Sequence, residues 1–219
     1  FFKEKSFKDI EYANNFKNIA DWILFDYKDD LLAGGTGKSF DWNLLSNKNL
    51  NFKFKKGKIY SIIGPSGSGK STLLNLLSLI DVPSSGKIKI NEKIIDFDDK
   101  KQNDLIRASE IGIIYQDKNL LTDFTALENI YLARVNANSN KKNAILEAKR
   151  IISKVGLANR VDHFPSQLSG GESQRIAICR ALINSPNIIL ADEPTGNLDY
   201  KNAKEIFKMF VNLKNKDRT

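Results

Sequence analysis

Residues 59–80 read IYSIIGPSGSGKSTLLNLLSLI. An apolar run (Ile59, Tyr60, Ile62, Ile63) enters a glycine-rich turn, and a helical pattern follows over residues 70–79. A continuous apolar run of this kind predicts a buried parallel strand. The turn, Gly64-Pro65-Ser66-Gly67-Ser68-Gly69-Lys70-Ser71, matches G-x-x-x-x-G-K-[ST]. Its glycines let the backbone turn so that successive N–H groups can point at phosphate oxygens. The helix start adds partial positive charge. Lys70 can reach β- and γ-phosphates, Ser71 can ligate Mg²⁺, and Thr72 completes the phosphate-binding set. A second glycine cluster, LAGGTGKS at residues 32–39, puts Leu32 where the pattern needs glycine and has Asp29, Asp30 and Leu31 before it; it reads as a loop.

Further along, Ile188, Ile189, Leu190 and Ala191 run into Asp192-Glu193. An apolar strand ending in two carboxylates holds them at the carboxyl edge of a sheet, where open α/β sheets bind ligands. Asp192 suits Mg²⁺, directly or through water, and Glu193 suits a general base on the attacking water. Between these motifs, residues 87–95 alternate as a strand does, 111–115 read as a buried strand, and 125–155 as two helices broken near 136–140. Residues 170–182 and 201–213 read as helices, and 187–191 as a strand. Strands alternating with helices predict an α/β fold with a parallel sheet flanked by helices. The mostly helical stretch 117–165 reads as an inserted subdomain. Residues 1–30 fit a helical stripe, while 22–27 fit a short strand equally well.

Composition bounds these readings. The 219 residues are 41% hydrophobic and 27% charged, which is globular usage, and no apolar stretch approaches the length of a membrane span. A single cysteine, Cys179, excludes an internal disulfide and reads as a small core residue. The net charge of +8 comes from 27 Lys and only 7 Arg, beside 23 Asn and 25 Ile. Phosphate readers favour the arginine fork, so this pattern indicates compositional bias rather than a nucleic-acid patch. The chain starts at Phe1 and its one methionine is Met209, as expected of a fragment of a longer product.

Residues 168–172 read Leu-Ser-Gly-Gly-Glu, followed by Ser173-Gln174-Arg175. Ser169, Gly170 and Gly171 open a helix and so form a second anion site, with Glu172 beside it. The segment closely resembles the signature motif of ABC-type ATPases, usually LSGGQ. The resemblance runs from residue 44 to the end and adds, in family order, the Walker A loop (64–71), a Q-loop glutamine (Gln116 in IGIIYQD), Walker B (188–193) and a D-loop (Gly196-Asn197-Leu198-Asp199).

The resemblance implies a P-loop NTPase core of ABC-ATPase type with an antiparallel β subdomain and an inserted helical subdomain. Residues 1–43 would be an N-terminal extension and the start of the β subdomain; residues 44–219 would be the ATPase domain. It implies ATP and Mg²⁺ as cofactors, with Ser71, Gln116 and Asp192 at the metal, and a head-to-tail dimer. There the Walker A loop of one subunit and the signature of the other sandwich ATP, and Asp199 contacts the opposite subunit. Gln116 would also report nucleotide state to an integral membrane permease, its partner at the cytoplasmic face of a bacterial membrane. ADEPTGNLD (191–199), LLTDFTALENI (120–130) and LSGGE resemble the subgroup of lipoprotein-release, macrolide-export, cell-division and peptide-antibiotic-export ATPases.

Two departures follow. The family's switch histidine would fall near position 226, past Thr219, so the chain is expected to end before the domain does; His163 precedes the signature and reads as a surface or packing residue. The adenine-stacking aromatic is open between Phe40, Tyr27 and Trp42. The alternative function is a soluble ABC ATPase acting on nucleic acid or ribosomes. Gln116 and Ser169 lie too close for the coiled coil of chromosome-type members, and one cassette is too few for translation factors, so nucleic acid is not expected as a partner.

Overall fold

The computed structural model describes residues 2–4, 25–27, 52–55, 57–62, 67–137, 139–195 and 198–214. The chain divides into two units, residues 1–54 with 60–73 and residues 55–59 with 74–219.

In the first unit, strands β1 (Phe2–Glu4) and β2 (Phe25–Tyr27) pair in parallel. Phe52, Phe54 and Tyr60 meet edge to face, with ring centroids 5.0 to 6.3 Å apart. The sequence predicts a strand over residues 59–63. Residues 58–62 form no regular element, and Ile63 lies outside the described residues. Tyr60 meets the ring edges of Phe52 and Phe54. Helix α1 (Lys70–Leu77) begins in this unit as its sequence predicts.

In the second unit, Ile59 is 54% exposed, against the burial expected of it. Strands β3 (Lys89–Ile90) and β4 (Lys93–Ile94) form an antiparallel hairpin where the alternation of residues 87–95 predicts one strand. Asn91 and Glu92 both take positive φ, 51° and 63°. That turn matches the twist of the two strands it joins. Helix α2 (Lys100–Glu110), absent from the sequence reading, starts where Asp99 accepts from the Gln102 N–H. Strand β5 (Ile111–Ile114) follows. It pairs in parallel with β6 (Ile188–Ala191), Ile114 opposite Ala191, giving the α/β arrangement expected.

Helices α3 (Ala126–Asn136), α4 (Lys141–Lys154) and α5 (Gly170–Leu182) share one core built around Ile130, Ala144, Ala148, Ile152, Ile176 and Cys179. In α4 the buried residues Ala144, Ala148 and Ile152 recur every four positions, the spacing of one helix face. Thr125 and Glu128 close a capping box at the start of α3. Buried Asn129 bonds both the N–H and the carbonyl of Leu121 and the carbonyls of Phe124 and Thr125, tying down the loop ahead of the helix. Cys179 is fully buried, as expected of a core residue, and burial pushes its thiol up to about 12. A side chain at Gly112 would meet the Ala181 carbonyl oxygen at 2.6 Å, so only glycine lets β5 pass this close beneath α5. Helix α6 (Tyr200–Lys214) completes the described elements, and among them no helix is long and apolar enough to cross a membrane.

Candidate functional site

At the carboxyl edge of β5 and β6 the parallel register sets Gln116 and Asp192-Glu193 side by side in the chain's turn-offs. The Asp192 N–H donates to the Ile114 carbonyl at 2.9 Å, extending the ladder one residue past Ala191. Gln116 lies two residues beyond Ile114, in the turn that leaves β5. A small cleft lies at this edge, with Leu74, Asn75 and Ser78 on one wall and Ile113, Tyr115 and Asp192 on the other. Asp192 is half-buried, whereas Glu193 is exposed. Glu193 has φ 41°, a left-handed conformation that costs a non-glycine residue about 1–2 kcal/mol. Strain of this kind concentrates at functional positions.

In the first unit, Gly67 and Gly69 take φ 81° and 85° on the way into α1. A side chain at either would have room, so backbone conformation is what calls for glycine here. The Ser68 hydroxyl is buried with no hydrogen-bond partner among the described residues, and the first turn of α1 carries no acid. An orphaned donor at a helix start without competing carboxylates fits a phosphate group. Lys70, Ser71 and Thr72 lie in that first turn; Gly64, Pro65 and Ser66 lie outside the described residues. At the sheet edge Gln116 and Asp192 offer an amide and one carboxylate. That is a fitting set for Mg²⁺, which keeps several waters and takes one or two carboxylates plus substrate phosphates.

The start of α5 is a closed capping box. Glu172 N–H donates to the Ser169 hydroxyl at 3.2 Å, and Ser169 N–H donates to the Glu172 carboxylate at 2.8 Å. Arg160 pairs with the same carboxylate at 2.9 Å, and its other end contacts His163. The backbone bond from Ser169, followed by the Arg160 bond, lowers the Glu172 carboxyl to about 2. Gly171 sits against Asn202 of α6, where an added side chain would meet the amide oxygen at 2.4 Å. Asn202 also bonds Asp199 through its N–H and side chain, holding that carboxyl below its ordinary value. Gly196 and Asn197, Phe40 and Trp42 lie outside the described residues, and Tyr27 is part of β2.

The sequence reading passed over Arg160, Arg180 and Asn202. Arg180 alone carries a legible mark: a cation inside the mostly apolar run 176–182.

Comparison with known proteins agrees with this geometry. The family model described as ABC transporter matches residues 47–196. The lipoprotein-releasing system ATP-binding protein LolD of Rickettsia bellii is 47% identical over 171 residues, 78% of this chain and 75% of the relative. LolD of Saccharophagus degradans is 45% identical over 166 residues, 76% of this chain and 73% of the relative. Among solved structures, a dimeric post-hydrolysis state of the ATP-binding cassette MJ0796 bound to ADP and Pi superposes with a TM-score of 0.71. It is 38% identical and covers 77% of this chain and 74% of its own. The chain belongs to the ABC transporter family, as an ATP-hydrolysing transporter subunit that works with ATP and Mg²⁺.

Proposed function

We propose that the chain powers a membrane permease of the lipoprotein, peptide or drug export and release type, with lipoprotein release the nearest chemistry because its relatives include LolD proteins. The observation that carries the catalytic part is the sheet edge where strained Glu193 follows Asp192 beside the Gln116 turn.

Residues 64–72 hold the triphosphate: backbone amides and Ser68 take phosphate oxygens, and Lys70 neutralises the β- and γ-phosphates. When bound, Mg²⁺ neutralises charge developing on the β- and γ-oxygens, and Ser71, Gln116 and Asp192 would hold it. The Glu193 carboxylate accepts the proton of the attacking water, and Gln116 orients that water. Ser169, Gly170, Gly171 and Glu172 present the second anion site to nucleotide on another copy in a head-to-tail dimer. The dimeric MJ0796 cassettes support that assembly. Asp199 faces the opposite subunit.

Residues 44–219 form the ATPase domain, and residues 117–165 its helical arm; the arm and the Gln116 turn meet the permease at the cytoplasmic face of the membrane. The core shared by α3, α4 and α5 supports a rigid arm behind the signature. The reading as a nucleic-acid ATPase gains nothing from the relatives described, which are transporter subunits.

Replacing Glu193 with Gln keeps size and removes the base, so hydrolysis should fall about 100-fold or more. The variant should also accumulate as an ATP-bound dimer in size-exclusion chromatography. Unchanged hydrolysis would sink the assigned role. For the permease, affinity capture from gently solubilised membranes should recover a protein with few spans and a large extracytoplasmic domain. Recovery of soluble partners alone would count against the transport reading.

A further inference from the structure

Arg180 lies near the end of α5, the helix that opens at the signature. Its guanidinium donates to the Lys118 carbonyl at 2.7 Å and the Asn119 carbonyl at 2.5 Å, bridging 62 and 61 positions of sequence. Those carbonyls belong to the turn that leaves Gln116. Lys118 and Asn119 have φ 58° and 44°, two consecutive left-handed residues. Within the turn, the Lys118 N–H donates to the Tyr115 carbonyl at 3.3 Å and the Asn119 N–H to the Asp117 carbonyl at 2.6 Å. Consecutive non-glycine residues in this conformation need outside support to persist.

Arg180 supplies that support at a cost. It forms no ion pair among the described residues, and burial lowers its pKa from the usual arginine value. A guanidinium bonded to backbone carbonyls is a poor way to fill space, since an apolar side chain would avoid the desolvation. Its fork geometry, by contrast, suits gripping two adjacent carbonyls at once.

We propose that Arg180 is a positioning residue of the ATPase: it clamps the 116–119 turn to the signature helix, so that Gln116 is aimed and the two elements shift together. This rests on the reading of Gln116 and of the signature given above. Through this clamp, a push on the turn by the permease reaches the anion site at Ser169–Gly171 along one helix, and nucleotide at that site reaches the turn by the same route.

Arg180→Met keeps the aliphatic stem and removes all donors, while Arg180→Lys returns a single cationic donor. The measurements are titration with a fluorescent ATP analogue, steady-state hydrolysis, and amide exchange at residues 115–121. For Arg180→Met, kcat should fall about tenfold with KM for ATP changed less than about twofold, in line with the loss of charged hydrogen bonds made away from the nucleotide. Amides 118 and 119 should exchange faster, and Arg180→Lys should recover part of both kcat and protection. A raised KM at constant kcat, or Arg180→Lys as impaired as Arg180→Met, would overturn the proposal. If Arg180→Met fails to fold, Arg180→Lys decides: faster exchange confined to the turn supports the clamp, and wild-type exchange there removes it. If the unsubstituted chain binds no analogue, the nucleotide reading falls, and exchange in the two variants still judges the clamp.

Discussion

The starts of α1 and α5, both proposed to take phosphate, are built in opposite ways. At α1 the approach runs through left-handed Gly67 and Gly69, the Ser68 hydroxyl has no partner among the described residues, and no carboxylate stands in the first turn. At α5 the first-turn carboxylate is present, bonded to Ser169 N–H and to Arg160, and the Ser169 hydroxyl is already accepting from Glu172. The first start leaves the Ser68 hydroxyl for an anion. The second satisfies itself and leaves the amides of Gly170 and Gly171 for a ligand. An incomplete site binds by filling its own deficit, whereas a self-capped site contributes a rigid surface to an anion held by something else. That division matches a nucleotide bound first at residues 64–72 and closed over by a signature afterwards.

The comparison breaks most severely at Gly69. Gly69→Ala forces a side chain onto φ 85°, costing about 1–2 kcal/mol if the backbone stays and misaiming the following amides if it relaxes. Affinity for the fluorescent ATP analogue should drop about tenfold, within the roughly 5- to 30-fold that this strain converts to. Unaltered affinity would show that the turn does not depend on this conformation. At α5 the corresponding break is steric. Gly171→Ala drives a methyl into Asn202, and overpacking of this sort costs about 1–3 kcal/mol. Thermal melting should shift down by several degrees, and adding Asn202→Ala should return part of the loss. No recovery in the double variant would mean that the obstacle is not Asn202.

These two starts were also unequally legible. The Ser169–Glu172 box can be read directly, because a serine followed three residues later by a glutamate marks a helix start. The edge carrying Gln116 and Asp192 was legible too, since both sit at the ends of apolar runs, which become the neighbouring parallel strands β5 and β6. Alternation failed at residues 87–95, because a strand and a tight hairpin share the same period and the Asn91-Glu92 turn carries no glycine. Helix α2 escaped because its face is polar, with Asn103 as its one buried residue. The apolar residues 59–62 form no regular element and Ile59 is exposed, so hydrophobicity alone does not mark a strand. The contacts of Arg160 with Glu172, Asn202 with Arg175 and Arg180 with Lys118 span 12, 27 and 62 positions, and no local pattern encodes such pairings.

The smallest effect tests whether the self-capped start is electrostatic or merely hydrogen-bonded. Glu172→Gln installs the residue usual in the signature motif, keeps an acceptor for Ser169 N–H, and removes the charge that faces Arg160. A partly exposed pair of this kind is worth about 0.2–1 kcal/mol, so the melting temperature should fall by no more than a few degrees at neutral pH. The sign with pH is fixed by the carboxyl itself. Its folded value of about 2 lies below the ordinary 4.5, so its stabilisation is fully present above 4.5 and is lost as pH falls toward 2. The gap between wild type and Glu172→Gln should therefore hold steady from neutral pH down to about 5 and then narrow. A gap independent of acid would place the whole effect in the neutral capping bond. A gap that widens on acidification would mean that the protonated acid stabilises the fold more than the carboxylate does, contrary to a folded value below the ordinary one.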